Sequence, residues 1–502
     1  MARPHLYQYH KYAIPFFRPK FLQFAVGGFV FVSVFLLQLA FGADVKILLL
    51  ATGTAILALL LLHSAGIFNM ASLTGFAFFL NTVIFAVLLK TVLAQPIDEN
   101  LYSPFTSFFI VFLVGIEIFL AFKLAQIMPV GKSIFQPMND LRFLKYLAIV
   151  CYVSGLFLWL LSQFYHIDPR HQYVSEGEGF GGFTTVYPIF YMSIVASTAF
   201  VLISSNNKKS VNKWLVFILL TGTLMGLVES RKMLLGLTFG YYFFTSFVYR
   251  YRITARQVIF GVLLLLFIFF IFAPIVHVYR TDLWFLPFQQ RIDYIVSNAP
   301  NMIQSNYLFN YFRRVMNHEY SLNRYHYFDQ NLVLIDRFAT IQHSDLVIDS
   351  FQNRDVMGTE ILWRGFGLIL PSFLNPNKSS ISLGDEIMWE LGLRKYGTVG
   401  FATVPLIGSS FAAMNWVGVI IVPFVVFLLL FLAVKKIAPD IRHNIFAIYF
   451  IVPILLGVHE WSHEQFIVRL FRLIPVEVIL LLVMIFMYNK VFSAPKMLNR
   501  NF

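Results

Sequence analysis

The sequence predicts an all-α polytopic membrane protein with about twelve transmembrane helices and one large extracytoplasmic loop. Of the 502 residues, 58% are hydrophobic and only 13% are charged, which is about half the charged share of a soluble domain. The mean hydropathy is +0.72, and the apolar residues are concentrated in stretches long enough to cross a bilayer. A single cysteine, Cys151, excludes a disulfide-stapled secreted domain, and the composition excludes a cytoplasmic globular enzyme and a disordered scaffold.

The spans follow from the apolar stretches, read at the length that a transmembrane helix needs. The predicted spans are 21–41, 47–63, 73–93, 105–127, 145–163, 187–205, 214–229, 233–249, 258–278, 418–434, 444–459 and 471–488. They divide the chain into a membrane domain at 1–278, a long loop at 279–417 and a second membrane domain at 418–502. The basic N-terminal segment precedes a run of span length, which predicts a first span and not a cleaved signal peptide.

The distribution of Lys and Arg predicts the orientation of these spans. The connections assigned to the inner side carry 19 basic residues, and the short outer connections carry six. Both termini are therefore expected in the cytoplasm and the long loop outside. The net charge of +13 is explained by this topology, with anionic lipid headgroups as the partner, so that nucleic acid is not required.

The loop at 279–417 is expected to carry function, because a connection of this length without a role is uncommon. Helical periodicity predicts helices at 303–315 and 330–351, and a stretch rich in Pro, Asn and Gly follows at 371–384. The loop is dense in aromatic residues, whose faces bind the apolar faces of sugar rings while arginine and amide groups bind the hydroxyls. This composition indicates a saccharide ligand, with an interfacial aromatic belt or a core within the loop as the alternative.

Three arginines at the outer boundary are candidate ligands for a lipid diphosphate. Arg231 lies where the seventh and eighth spans meet, Arg280 follows the ninth span, and Arg337 lies in the loop. A guanidinium group binds phosphate through two hydrogen bonds and stays charged, which suits a site where a leaving diphosphate accumulates charge. The alternative is that these side chains anchor helix ends or pair with acidic loop residues.

Candidate acid–base residues lie on the same predicted helical segment as Arg337. His343 and Asp345 follow it by about two helical turns, and either could deprotonate an acceptor hydroxyl. The alternative is that both are ordinary hydrogen-bonded loop residues.

Two further features leave other functions open. The segment His459-Glu460-Trp461-Ser462-His463 matches the H-E-x-x-H pattern of zinc proteases, in which two histidines on one helix bind the metal. The favoured interpretation is a hydrogen-bonded outer cluster near Arg469 and Arg472. Glu117, within the fourth span, suits either proton coupling in a transporter or a paired or protonated structural carboxylate.

Several motifs together resemble the Wzy-type O-antigen and oligosaccharide repeat-unit polymerases, which are related in architecture to the O-antigen ligases. The resemblance covers the layout of the whole chain, with many spans and one large outer loop late in the sequence. The segments that carry it are Ser230-Arg231-Lys232-Met233-Leu234-Leu235, Asp336-Arg337, the proline-bearing run from Leu370 to Lys378, and the small-residue run from Gly408 to Val419. Where the family often has Gly-Glu-x-Tyr, this chain has Gly408-Ser409-Ser410-Phe411.

The resemblance implies a GT-C-like glycosyltransferase that works without metal or cofactor at the outer face of the bacterial cytoplasmic membrane. It would transfer a growing glycan from undecaprenyl diphosphate to a new lipid-linked repeat unit. The implied site residues are His343 or Asp345 as the base, Arg231, Arg280 and Arg337 for the diphosphates, and Trp363, Arg364 and Lys378 for the saccharide. The implied partners are undecaprenyl-diphosphate-linked oligosaccharides and membrane lipids, with a chain-length regulator as a further candidate. An O-antigen ligase, a lipid-linked glycan flippase or transporter, and an intramembrane zinc protease remain as alternatives.

Overall fold

A computed structural model of the chain describes a helical protein. It describes residues 20–164, 183–229, 232–251, 259, 261–263, 286, 288–303, 327–328, 339–370, 381–397 and 402–492. Within these residues no β-strand occurs, and the β-type pairing is limited to one isolated antiparallel bridge between Asn69 and Asp440. The prediction of an all-α fold is confirmed for this part of the chain.

The described helices are numbered here in chain order. Before the long loop they are α1 (Lys20–Ala40), α2 (Val45–Ala65), α3 (Met70–Val92), α4 (Pro104–Ile127), α5 (Leu141–Phe164), α6 (Tyr187–Ser204), α7 (Lys213–Val228) and α8 (Lys232–Val248). The loop contributes α9 (Phe288–Ile303), α10 (Ile341–Gln352), α11 (Glu360–Gly367) and α12 (Leu383–Glu390). The last helices are α13 (Leu406–Ile437), α14 (Ile445–Gly457) and α15 (His463–Phe492).

In the described part of the chain, seven helices are long and apolar enough to cross a membrane, namely α2 to α6, α13 and α15. Four shorter apolar helices lie at Gly28–Ala40, Lys213–Val228, Met233–Val248 and Ile445–Gly457. Together these helices coincide with eleven of the predicted spans, and the remaining one, 258–278, lies almost entirely outside the described residues. The chain is therefore a helical membrane protein, and the total of twelve spans stays a prediction.

One span begins earlier than the hydropathy predicts and is broken. α13 has 32 residues, which as a straight helix would be about 48 Å long and would exceed the hydrocarbon core of a bilayer. Its backbone leaves the helical region at Met414 and at Asn415, where φ is 54°. The first half turns back so closely that a Cβ atom on Gly418 would collide with the carbonyl oxygen of Ser410. The predicted span 418–434 corresponds to the second half alone.

The connections between the helices alternate between two ends of the bundle, and one continuous apolar core runs between those ends. The basic end comprises residues 66–69, 128–140, 205–212, 249–251 and 438–444. The loop end comprises residues 41–44, 93–103, 229 and 458–462, together with the loop helices α10, α11 and α12. Of the basic residues assigned to inner connections, these basic-end segments contain Lys132, Lys208, Lys209, Arg250 and Arg442, and Lys435 and Lys436 lie in the adjoining last turn of α13.

Lysines close the helix ends at the basic end. The Nζ atom of Lys435 donates to the carbonyl oxygens of Ala125, Gln126 and Met128 at 2.8, 3.0 and 2.9 Å. These carbonyls belong to the last turn of α4, where the helix itself supplies no donors. A cation at a helix C-terminus is also favoured by the helix dipole. Lys435, predicted only as a topology signal, therefore also joins α13 to α4.

Candidate functional site

The loop helices lie directly on the ends of the membrane helices. A Cβ atom on Gly365 of α11 would lie 3.2 Å from the Cα atom of Glu464 on α15. A Cβ atom on Gly408 of α13 would lie 3.5 Å from the Cα atom of Ser344 on α10. Both glycines allow two backbones to approach where a side chain would separate them. The loop helices are therefore fixed on the bundle, and their polar residues are held at its end.

Asp345 fixes α10 to the start of α4. Its carboxylate accepts hydrogen bonds from the backbone N–H groups of Tyr102 and Ser103 at 2.7 and 3.1 Å, and from the hydroxyl of Ser107 at 2.7 Å. A second bond joins the same elements, because the hydroxyl of Ser103 donates to Asp349 at 2.7 Å. The first amides of a helix lack partners within it, so Asp345 caps α4 from a distant part of the chain.

The environment of Asp345 is that of a structural carboxylate. The residue is 1% exposed, and its two oxygens already accept three hydrogen bonds. Burial raises its pKa above the ordinary value of 3.8, and the three hydrogen bonds oppose this shift. A general base must reach the hydroxyl that it deprotonates. The oxygens of Asp345, predicted as a base, are instead directed at the amides of Tyr102 and Ser103 and at the hydroxyl of Ser107.

His343 lies on the same helix but on a different face. His343 is half-buried. It precedes Asp345 by two positions, and residues at that spacing in an α-helix are separated by about 200° around the helix axis. His343 and Asp345 therefore do not point to one common site. The prediction of one continuous helix over 330–351 is wrong at Ala339 and Thr340, because neither is helical and α10 begins at Ile341. The prediction for Arg337 lies outside the described residues.

Arg364 is the centre of a charged cluster that joins three helices. Its guanidinium group forms an ion pair with Glu386 of α12, and its Nε atom lies 3.3 Å from a carboxylate oxygen of Glu464 on α15. It also donates to the carbonyl oxygen of Ile381. The side chain of Arg364 is 14% exposed, whereas that of Glu386 is 29% exposed and forms the solvent side of the cluster. Arg364, predicted to bind a saccharide, is thus engaged within the protein.

Trp363 points away from this cluster. It is 69% exposed, and its ring packs on that of Phe366 at a tilt of 39°, with the ring centroids 5.5 Å apart; the ring of Phe366 lies 6.0 Å from that of Phe471 on α15. Consecutive residues of an α-helix lie about 100° apart around its axis, so Trp363 and Arg364, both predicted to bind the saccharide, occupy different faces of α11. Trp363 is exposed, whereas Arg364 is engaged in the charged cluster.

The H-E-x-x-H segment does not form a zinc-binding helix. α14 ends at Gly457, residues 458–460 form a turn, and α15 begins at His463, so the two histidines belong to different elements. The ring of His463 lies with Nδ1 at 3.1 Å from the hydroxyl of Ser409 and Nε2 at 3.0 Å from the carbonyl oxygen of Ile361. In the part of the chain that the structure describes, no group of three or more His, Cys, Asp or Glu residues could hold a metal ion. The zinc protease alternative loses the geometry on which it depended.

Glu229 is a buried carboxylate next to the predicted Ser-Arg junction. One of its oxygens accepts from the indole N–H of Trp159 at 2.7 Å and from the amide of Gln163 at 3.4 Å, and the other accepts from the hydroxyl of Tyr187 at 3.3 Å. Three helices, α5, α6 and α7, therefore meet at this carboxylate at the loop end. It precedes Arg231, which lies outside the described residues, by two positions in the sequence, and its hydrogen bonds fix the end of α7.

Arg472 joins two distant segments at the loop end. Its guanidinium group donates to the hydroxyl of Thr185 at 2.8 Å and to the carbonyl oxygen of Leu368 at 3.3 Å. Thr185 lies two residues before α6, and Leu368 follows α11 in the long loop. Both segments are thereby joined to α15.

The structure thus gathers Asp345, Arg364, His463, Glu229 and Arg472 at one end of the bundle. The remaining predicted site residues, Arg231, Arg280, Arg337 and Lys378, lie outside the described residues. Sequence reasoning missed Glu229, Ser409 and Glu386. For Glu229 a signal existed, because a carboxylate at a tight junction between apolar helices must be hydrogen-bonded.

Comparison of the chain with family models, with curated proteins and with solved structures found no match.

Proposed function

We propose that the protein is a glycosyltransferase that polymerises undecaprenyl-diphosphate-linked oligosaccharide repeat units into a surface polysaccharide. The observation that supports this proposal best is the loop end itself. Helices of the long loop are held on the ends of the membrane helices by buried polar contacts. These contacts lie at the loop end of the bundle, opposite to the basic end. Polar groups are thereby collected at the depth where the headgroup of a lipid-linked substrate would lie.

The proposal includes the finer architecture that the sequence predicts. It has twelve spans in a GT-C-like arrangement, both termini in the cytoplasm, and the loop end at the outer face of the bacterial cytoplasmic membrane. An excess of Lys and Arg at the cytoplasmic side is the usual orientation signal, and the basic end carries this excess.

In the proposed reaction the acceptor hydroxyl attacks the anomeric carbon of the donor glycan. The new glycosidic bond forms as the bond between that carbon and the diphosphate oxygen breaks, and undecaprenyl diphosphate leaves. Arg231, Arg280 and Arg337 would stabilise the charge on the leaving diphosphate. His343 remains the candidate for accepting the hydroxyl proton, and Lys378 remains a candidate for contacting the saccharide.

Glu229 supports the role of Arg231 in a specific way. A diphosphate-binding arginine has to be held in position before the substrate arrives, because ordering a flexible side chain reduces the affinity gained. The hydrogen bonds from Trp159 and Tyr187 fix the end of α7 immediately before Arg231. Glu229 is therefore proposed as a positioning residue for the turn.

The proposal is tested by deleting the gene in its host and separating the surface glycan and the lipid-linked intermediates on a gel. Collapse of a ladder to a single repeat unit is expected. Complementation with the wild-type gene should restore the ladder, and complementation with Arg231→Ala should fail although the protein is present in the membrane. Lys208→Ala, a basic residue at the other end of the bundle, is the matched control and should restore it.

Three other results would each overturn the polymerase proposal. Full-length chains that accumulate on the carrier lipid would identify a ligase. Single repeats that stay in the inner leaflet would identify a flippase. An unchanged glycan would remove polysaccharide synthesis from consideration altogether.

A further inference from the structure

α11 carries an apolar face that is largely exposed in the described part of the chain. Trp363 and Phe366 of this helix are 69% and 43% exposed, and Leu370, three residues beyond its end, is 47% exposed. The spacing of three residues places Trp363 and Phe366 on one side of the helix. Contiguous large apolar groups exposed to water are costly, so that a patch of this kind indicates a binding surface.

The opposite face of α11 holds the helix at a defined depth. Ile361 is 8% exposed and Gly365 packs on the backbone of Glu464, while Arg364 forms ion pairs with Glu386 and Glu464. The helix is therefore fixed to the first turns of α15 and cannot rotate to bury its aromatic face.

The exposed face continues onto a membrane helix. The ring of Phe366 lies 6.0 Å from that of Phe471, which is 42% exposed and belongs to the spanning helix α15. Further along α15 the residues Ile479, Val483 and Phe486 are 60%, 52% and 64% exposed and form part of its lipid-facing surface. The aromatic row Trp363–Phe366–Phe471 is thus continuous with a surface that hydrocarbon chains cover.

We infer that α11 is an interfacial helix whose aromatic face, Trp363 and Phe366, inserts together with Leu370 into the boundary between lipid headgroups and acyl chains. Amphipathic helices that lie in the membrane plane bury their apolar face by about 5–10 Å, and tryptophan is enriched at this depth. The occupant of the patch is the lipid bilayer itself. The helix fixes the long loop to the membrane surface beside the spans, and this inference does not depend on the proposed function.

The inference is tested with spin labels on single cysteines in the full chain, reconstituted into lipid nanodiscs. The background is Cys151→Ser, since Cys151 is the only cysteine in the sequence. Labels at Trp363→Cys and Leu370→Cys report on α11. A label at Ile479→Cys is the reference for lipid, and one at Tyr396→Cys, where the native side chain is 85% exposed at the loop end, is the reference for water.

For each spin label, the frequency of collisions with oxygen, which dissolves in lipid, is compared with the frequency of collisions with a water-soluble nickel chelate. The ratio of oxygen to nickel accessibility at residues 363 and 370 is expected to be several-fold higher than at 396 and to approach that at 479. A ratio equal to that at 396 would overturn the inference.

Two controls distinguish the other occupants. A high ratio that appears only with two copies in each nanodisc would show that a second copy covers the face. A high ratio that appears only after a lipid-linked oligosaccharide is added would show a saccharide surface instead. Either result would overturn insertion into the bilayer, whereas a high ratio with a single copy and no added glycan supports it.

Discussion

Arg469 and Glu477 form a bidentate ion pair inside the bundle, with N–O distances of 3.0 and 3.1 Å. Both residues lie on α15, eight positions apart, and they are 8% and 4% exposed. The pair begins in a π-helical turn, Arg469–Leu473, a local widening that is frequent at functional sites. Sequence reasoning had assigned Arg469 to an outer connection, but its charge is used within the protein.

Removing one partner of this ion pair should lower the free energy of unfolding far more than removing both partners. Arg469→Met leaves a buried carboxylate uncompensated, at a cost of about 3–5 kcal/mol in the free energy of unfolding. The double variant Arg469→Met/Glu477→Met should recover most of this loss, because it leaves no buried charge. Unfolding titrations with a denaturing detergent measure Arg469→Met, Glu477→Met and the double variant. A double variant that loses as much stability as the two single variants added together would contradict the expectation.

Gly365 and Gly367 provide a matched test of how α11 packs. Gly365→Val should destabilise the loop end by about 1–3 kcal/mol, because its side chain would press on the backbone of Glu464 and on Ile467. Gly367→Val has open space around it, and valine is no worse a helix former than glycine, so this variant should lose little stability. Thermal unfolding of the two purified variants measures the difference. Equal melting temperatures would show that α11 does not pack closely on α15.

The role of Asp345 can be separated from catalysis by its effect on stability. Asp345→Asn should lower the free energy of unfolding by about 1–3 kcal/mol, because the amides of Tyr102 and Ser103 lose part of their acceptor. Asp349→Asn, also on α10, weakens the single hydrogen bond that the hydroxyl of Ser103 donates and should lower the free energy of unfolding less. A variant of Asp345 that is fully stable but inactive would restore its assignment as the base.

The same carboxylate should give a characteristic dependence on pH. Burial raises the pKa of Asp345 above 3.8, so the folded state binds more protons than the unfolded state as the pH rises from that value through the raised pKa. The wild type therefore loses stability over this window, while Asp345→Asn does not titrate. The stability difference between the two should be largest at acid pH and shrink towards neutral pH. A difference that grows with pH would mean that the hydrogen bonds outweigh burial.

His463 should behave as a structural residue and not as a zinc ligand. His463→Ala removes the contacts with Ser409 and Ile361 and should destabilise the protein by about 1–3 kcal/mol. Treatment of the wild type with a zinc chelator should leave its melting temperature unchanged. Elemental analysis of the purified protein provides the check, and stoichiometric zinc that His463→Ala abolishes would contradict this expectation.

The orientation of the two ends can be mapped with cysteines at positions that the structure shows to be exposed. A membrane-impermeant maleimide should label Tyr396→Cys in intact cells and Lys208→Cys only after the membrane is permeabilised. The native Cys151 is buried and should stay silent in both cases. The reverse pattern of labelling would invert the proposed topology.

The spans were predictable from the sequence because length and hydropathy are local properties. The break in α13 was not, since hydropathy cannot report that Asn415 has a φ of 54° or that Ser410 approaches Gly418. The helix boundary inside the H-E-x-x-H segment could have been recognised. Ser462 and Gln465 form a capping box, and this pair of residues at this spacing marks a helix start.

The site was less predictable because its contacts join distant parts of the chain. Asp345 looked like an available base because the donors that occupy it, at Tyr102 and Ser103, lie more than 200 residues earlier. Arg364 likewise gave no sign in the sequence that Glu464 would be its partner. Local patterns reveal which residues can react but not which are already hydrogen-bonded.

The capping of α4 by Asp345 has a consequence for biosynthesis. Ser103 and Asp345 are separated by 242 residues, which a ribosome adding 5–20 residues per second needs about 12–48 s to translate. During that interval α4 can enter the membrane, but the carboxylate that completes its first turn has not been synthesised. A chain truncated before α10 would keep these amides without their acceptor indefinitely. The contact thus distinguishes an unfinished chain from a complete one.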